Sequence, residues 1–227
     1  LNMIVKNESR IIKRCLDSVL PLVDSYCIID TGSTDGTQQI ILETLKDLPG
    51  ELIERPWVNF GHNRQEALDL GRKWGDFLLL VDADMILRFK DTFDKSKIDK
   101  SVDGYEIIQV NGSLSYYNIR LVNTRLRWKC IGVTHEYYSA DGSNGSQIFN
   151  HLWFDDVSDG GSKENKFERD IKLLTKGLED EPNNVRYMFY LAQSYKDSGK
   201  FTEAIEWYKK RINAGGWREE VWYSYYM

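Results

Sequence analysis

The chain has 227 residues, enough for one large domain or for a domain with an appendage. With 41% hydrophobic and 29% charged residues it can bury a real core, so disorder is not expected. The 30 basic and 35 acidic residues leave a net charge of -5, which argues against a nucleic-acid partner, and no apolar run approaches the ~20 residues that span a bilayer. Cys15, Cys27 and Cys130 are odd in number and widely spaced, which points to a reducing, cytoplasmic setting without a disulfide framework.

In chain order, residues 1–5 read as a buried strand that Lys6-Asn7-Glu8-Ser9 breaks. An amphipathic helix follows, with Ile11, Ile12, Cys15, Leu16 and Val19 on one face and Pro21 at its end. Residues 26–29 form a second strand, closed by the turn-rich stretch Asp30-Thr31-Gly32-Ser33-Thr34-Asp35-Gly36-Thr37. That stretch opens a helix whose apolar positions are Ile40, Ile41 and Leu45. Thr34 or Asp35 can cap it, and the backbone N–H groups at its start favour a nearby anion. Pro49-Gly50 turns into a third strand at 51–54, residues 56–60 are a loop, and 62–74 are helical with Ala67, Leu68 and Leu70 facing in.

The run 77–81 is apolar without a break and reads as a central strand buried on both faces. It ends in Asp82-Ala83-Asp84, and open α/β sheets bind ligands outside the carboxyl ends of their strands. On an extended chain the side chains at i and i+2 point the same way, so both carboxylates can address one ligand. Each raises the other's pKa unless a cation lies between them. A divalent ion bound through oxygen, Mn or Mg, with phosphates completing its shell, resolves the conflict. The plain alternative is a strand ending in a solvated acidic turn. Four strands separated by helices make an α/β, doubly wound, parallel arrangement.

Beyond Met85 the pattern changes. Residues 93–100 read as a short polar helix, and 105–110, 115–122, 129–138 and 147–154 as strands with Asn-Gly and Asp-Gly turns between them, hence antiparallel additions. Residues 155–163 form a Gly/Ser/Asp-rich linker, and from 164 on the sequence is helical. There Leu191, Ala192, Tyr195, Gly199, Ala204 and Tyr208 fall at tetratricopeptide-like intervals, with an ordinary helical hairpin as the alternative. The expected division is a domain over 1–158 and a helical region over 159–227.

Met3-Ile4-Val5-Lys6-Asn7-Glu8, the loop from Asp30 to Thr37 and Asp82-Ala83-Asp84 occur in this order and spacing. Together they resemble the family 2 glycosyltransferases, whose catalytic domain has the Rossmann-like GT-A fold. The resemblance implies that Val5, Asn7, Glu8, Asp30, Gly32, Ser33 and Asp35 hold the base and ribose of a nucleotide-diphosphate sugar. It also implies that Asp82 and Ala83 meet the ribose and Asp84 a divalent metal on the diphosphate. Thr31 stands where many members carry a second aspartate against the base; UDP remains the expected nucleotide. Arg64 falls where the family often has an arginine, and its guanidinium can offer a planar pair of donors to the diphosphate. His135-Glu136, after a segment starting at Trp128, looks like the H-E of a subset of the family, with Glu136 as general base.

His151 resembles the late histidine that completes the metal shell, and an imidazole ligand favours Mn over Mg. Exchanged roles stay open, with Glu136 or His135 on the metal and Asp155 or Asp156 as base. The resemblance thus implies an inverting transfer, of hexosyltransferase type, to an acceptor. Helical repeats present concave surfaces to peptides, so a protein or peptide acceptor is expected, and a homodimer through the tail is a second use for them. The rivals are a non-catalytic binding module on a transferase fold, and a nucleotidyltransferase. The latter would show a Gly-rich basic loop where this chain has Lys6-Asn7-Glu8-Ser9.

Overall fold

The run at 77–81 owes its place to alternation. In the computed structural model, which describes residues 1–161 and 165–227, Leu78 and Leu80 face one core while Leu79 and Val81 face another. That is what a strand covered on both faces requires. The chain separates into two compact units: an α/β unit of Leu1–Val58, His62–Ile131 and Tyr138–Lys163, and a helical unit of Asn59–Gly61, Gly132–Tyr137 and Glu164–Met227.

In the α/β unit, β1 (Asn2–Val5), β2 (Tyr26–Asp30) and β3 (Gly50–Glu54) are parallel and lie in that order, joined by α1 (Ile12–Val19) and α2 (Thr37–Thr44). After α3 (Phe60–Gly71) and a 3-10 turn at Arg72–Trp74, β4 (Phe77–Leu79) comes to the free side of β1, where Leu80 bridges Asn2 in parallel. The strand order reverses between β1 and β4, the kind of switch point where such sheets leave a crevice beyond their carboxyl ends. The remaining strands are β5 (Met85–Phe89), β6 (Gly104–Asn111), β7 (Leu114–Asn123), β8 (Trp128–Ile131), β9 (Tyr137–Ala140) and β10 (Ser146–Asp156). Five of them make a mixed sheet, β4-β7-β6-β10-β5, and β8 pairs with β9. One core packs Ile12, Leu16 and Ile41 against Met3, Ile28 and Phe154; the other joins Leu68 of α3 to Trp128. Cys15 and Cys27 are buried free thiols, and burial pushes both up, Cys27 to about 11, as inert core residues require.

Local chemistry corrects several expectations. The helix expected at 93–100 is a single 3-10 turn, Lys95–Lys97, where the Asp94 carboxylate accepts from the Ser96 N–H at 2.7 Å. The strand expected at 129–138 is two strands, β8 and β9. Gly132 at φ 116° and His135 at φ 50° take left-handed conformations that no strand accommodates. β5 was not foreseen; it follows a chain reversal at Asp82 and alternates Met85 and Leu87 into the core.

The helical unit carries α4 (Lys166–Asp180), α5 (Val185–Asp197), α6 (Phe201–Ala214) and α7 (Arg218–Tyr226). The start of α4 agrees with the expected onset of helix, although residues 162–164 lie outside the described ones. Asn184 caps α5, its side chain accepting from the Tyr187 N–H at 3.1 Å, and Gly199 at φ 79° follows its end. The buried Ala192 and Ala204 share one core cluster and let α5 and α6 approach closely. Arg211 of α6 is wholly buried; its Nη2 donates to Glu220 Oε2 of α7 at 3.0 Å, and its guanidinium also reaches the carbonyls of Gly215 and Trp217. Among the described residues no helix is long and apolar enough to cross a membrane.

Removing one partner of a buried pair strands the other charge. Glu220→Ala is therefore expected to lower stability by about 3–5 kcal/mol in denaturant melts. An unchanged midpoint would contradict this view of α6 and α7.

Candidate active site

The loops beyond β1 and β2 are laced together by side chains that the two motifs supply. Asn7, at φ 55°, accepts from the Thr34 N–H through Oδ1 at 2.8 Å, and its own N–H donates to Ser33 Oγ at 2.9 Å. The Glu8 N–H donates to Thr37 Oγ1 at 2.8 Å and the Ser9 N–H to Asp35 Oδ2 at 3.0 Å. Asp35 Oδ1 takes the Thr37 N–H at 3.1 Å, but the N-cap of α2 is Gly36, at φ 91°, rather than the expected Thr34 or Asp35. Burial alone would raise the Asp35 carboxyl, but the Thr37 hydroxyl and the Ser9 and Thr37 N–H groups hold it well below the usual carboxylate range. Thr31 turns back to the first strand, its N–H donating to the Val5 carbonyl at 2.9 Å. Asp30 is wholly buried. Its Oδ1 accepts from the N–H groups of Gly32 at 2.8 Å and Ser33 at 2.7 Å, and its Oδ2 has no partner.

The Asp82-Ala83-Asp84 stretch is not extended. The Met85 N–H donates to the Asp82 carbonyl at 3.1 Å and closes a tight turn, so the i, i+2 rule for strands does not apply. The two carboxylates find different company. Asp82 accepts from Arg64 Nη2 at 2.5 Å through one oxygen and from Arg120 Nη1 at 3.1 Å through the other. Burial pushes its carboxyl up, and the two guanidiniums more than reverse this, holding it well below the usual range. Arg64 reaches this place because Asn63, wholly buried, fixes the start of α3 to the preceding loop: its amide meets the Val58 N–H and the Pro56 carbonyl, each at 3.0 Å. Arg120 of β7 went unnoticed in the sequence. Its Nε donates to Gln109 Oε1 at 2.9 Å, and Gln109 also accepts from Asn118 at 2.7 Å.

Asp84 is buried and faces a different group. The loop at Gly160 passes close over it, so that a Cβ added there would lie 3.2 Å from Asp84 Oδ2, and the next N–H, of Gly161, donates to both oxygens of Glu8 at 3.1 Å. Burial raises the Glu8 carboxyl; the Gly161 N–H draws it back, and the charges of Asp84, Asp35 and Asp159 push it up further. Arg14 holds Asp159 through two bonds of 2.7 and 2.8 Å. This crowding of carboxylates suits a hard cation bound through oxygen. Among the described residues no group of three or more His, Cys, Asp or Glu could hold a metal unaided, so a ligand's phosphates would have to complete the shell.

His151 does not join Asp84. Its carbonyl accepts from the Lys90 N–H, whereas the Asp84 carbonyl accepts from the Val157 N–H. The whole β5–β10 ladder lies between these two contacts, about 20 Å of strand at ~3.3 Å per residue. The imidazole instead meets the edge of Phe149 with centroids 5.2 Å apart. The ladder thus keeps His151 away from Asp84, contrary to expectation, and leaves no imidazole there to favour Mn over Mg. Asp155 is held by Arg88 Nε at 2.7 Å, and Asp156 accepts from the Ser158 hydroxyl at 2.8 Å. Glu136 lies in the helical unit, on the segment between β8 and β9.

Replacing Arg120 by Met leaves the Asp82 carboxylate with one guanidinium. The expected cost at pH 7 is about 1–3 kcal/mol. A carboxyl depressed in the folded state stabilises above its unfolded pKa of ~3.9 and loses that advantage as pH falls through its folded value. The gap in urea midpoint between wild type and Arg120→Met should therefore hold from pH 7 to about pH 4 and narrow as pH falls further, towards pH 2; a gap still unchanged at pH 2 would contradict the pairing.

Residues 2–94 match the model for glycosyl transferase family 2. The chain is 27% identical, over 226 residues, to the SPbeta prophage-derived glycosyltransferase SunS of Bacillus subtilis (strain 168), covering 93% of this chain and 52% of SunS. It thus spans about half the length of that curated relative. Among solved structures, S. aureus TarS matches with TM-score 0.58 and 15% identity over 95% of this chain and 49% of TarS. The TarS 1–349 structure in complex with UDP matches with TM-score 0.57 and 16% identity over 94% of this chain and 79% of that one. Identities this low speak for the fold alone. Residues 2–94 of this chain thus match the glycosyl transferase family 2 model, within an α/β unit of the GT-A fold that a helical C-terminal region follows.

Proposed function

We propose that the chain transfers a sugar from a UDP-sugar to an acceptor hydroxyl, with a divalent metal and with inversion at the anomeric carbon. The observation that supports this most is the convergence of three loops at the β1/β4 switch point, where the carboxylates of Glu8, Asp35 and Asp84 crowd together close to Asp82 and its two guanidiniums. Asp30 Oδ2, buried without a partner, is an acceptor suited to a nucleobase N–H. The laced backbone of Val5, Asn7, Gly32 and Ser33, with Asp35 and Glu8 behind it, forms the rest of the base and ribose cradle. Asp82 is a quarter exposed and keeps lone pairs beyond those its arginines use, enough to accept from a ribose hydroxyl beside Ala83. Arg64 and Arg120, held by Asp82, set positive charge where the diphosphate needs it.

A diphosphate entering beside Glu8, Asp35 and Asp84 would be repelled by them without a counter-ion. Asp84, with the donor's phosphates, would hold the metal, which when bound supplies Lewis-acid stabilisation of charge on the leaving group. Glu136 is assigned to take the proton as the acceptor oxygen bonds to the anomeric carbon and the bond to the diphosphate breaks. The similarity to SunS supports the reaction class. The small-residue contact of α5 and α6 favours a tetratricopeptide-like region over 159–227 behind a catalytic domain over 1–158, and with it a protein or peptide acceptor.

A thermal-shift panel of UDP, GDP and CDP sugars, each with Mn, with Mg or with neither, tests this reading. At a hundredfold excess over Kd a bound nucleotide should raise the midpoint by roughly 5–10 °C. The shift is expected for UDP compounds with metal and not without, and Asp84→Ala should lose it while keeping its own melting temperature. No shift with any nucleotide would favour a binding module instead, and an undiminished shift in Asp84→Ala would refute the metal assignment.

A further inference from the structure

Glu136 follows a backbone conformation that its neighbours must enforce. His135 sits at φ 50°, which a residue with a Cβ keeps only where surroundings hold it, and Gly132 at φ 116° brings the chain close enough that its added Cβ would lie 3.3 Å from Glu136 Cα. The surroundings are side chains of the helical unit. Arg186 of α5 donates to the His135 carbonyl from Nη2 at 2.9 Å and from Nε at 3.3 Å. The His135 ring stacks on Tyr190 of α5, centroids 4.1 Å apart and planes within 7°. Asp170 of α4, buried, has Oδ2 3.8 Å from His135 Nε2 and takes the Thr134 hydroxyl at 3.3 Å.

Arg186 is held in turn. Its guanidinium lies 4.8 Å from the Tyr190 ring centroid and 5.2 Å from that of Tyr137, the residue after Glu136. It also lies 3.6 Å from Glu220 Oε1, the carboxylate that neutralises the buried Arg211. A planar cation in contact with two rings has few ways to move, and a carbonyl bonded to it moves with it. We propose that Arg186, supported by Asp170 and Tyr190, is the positioning residue for Glu136, holding the backbone that presents its carboxylate. This rests on the assignment of Glu136 as base.

The test uses the full chain with UDP-glucose and UDP-N-acetylglucosamine as probes, Mn present and water as acceptor, reading UDP release, UDP binding and amide exchange at 132–137. Arg186→Met should lower kcat about 10–100-fold, as loss of alignment does, with the donor KM and UDP affinity within about twofold of wild type. Exchange at 132–137 should rise, and Arg186→Lys, which keeps the charge without the planar fork, should recover part of the rate. Wild-type protection of 132–137 in Arg186→Met overturns the positioning role whatever the turnover of these donors. A fall in UDP affinity equal to the fall in kcat overturns it as well. Glu136→Gln turning over at the wild-type rate overturns instead the assignment beneath it.

Discussion

A single carboxylate between two guanidiniums ties helix α3 to the mixed sheet of the α/β unit. Asp82 follows β4, the strand at the seam, while Arg64 comes from α3 and Arg120 from β7. Taking three charges out of water is costly unless the geometry is good and the remaining donors are met. Here they are met: Arg120 spends its other donors on Gln109 and on the Leu80 carbonyl, and Gln109 is itself fixed by Asn118. A satisfied network of this kind rigidifies what it joins. What it joins is the turn carrying Ala83 and Asp84, so the position of the second acid is set by the first.

Around that fixed turn the crevice gathers more negative charge than it can comfortably keep. Glu8, raised by burial and pushed further by Asp84, Asp35 and Asp159, is the sign of this tension. The lacing of the β1 and β2 loops by Asn7, Ser33, Asp35 and Thr37 keeps the acids from moving apart. A cation shared with an anionic ligand relieves the repulsion, whereas a nucleotide without one meets it in full. Fold and charge point to the same kind of ligand.

Local and short-range features were legible in the sequence. The run at 77–81, the two loop motifs and the small residues of α5 and α6 lie in contiguous patterns whose period or turn chemistry speaks directly. Features set by long-range register were not. Arg120 lies 38 positions from Asp82 and meets it only because β7 pairs antiparallel with β4. His151 looked apt by residue type, but the β5–β10 ladder carries it to the far end of the strand. The tight turn at Asp82 replaced an expected extension because the Met85 N–H found a partner three residues back. Left-handed His135 broke a strand that composition alone supported, and its reason lies in Arg186, 51 positions away.

The position of the cation is the point on which the functional reading turns, and it can be observed without any acceptor. Electron–nuclear double resonance on Mn²⁺ mixed with the protein and UDP should show hyperfine coupling to ³¹P, changed from that of Mn²⁺ and UDP in buffer and reverting to it in Asp84→Ala. Spectra of wild type and Asp84→Ala that both match the protein-free mixture would contradict a metal shared between Asp84 and the diphosphate.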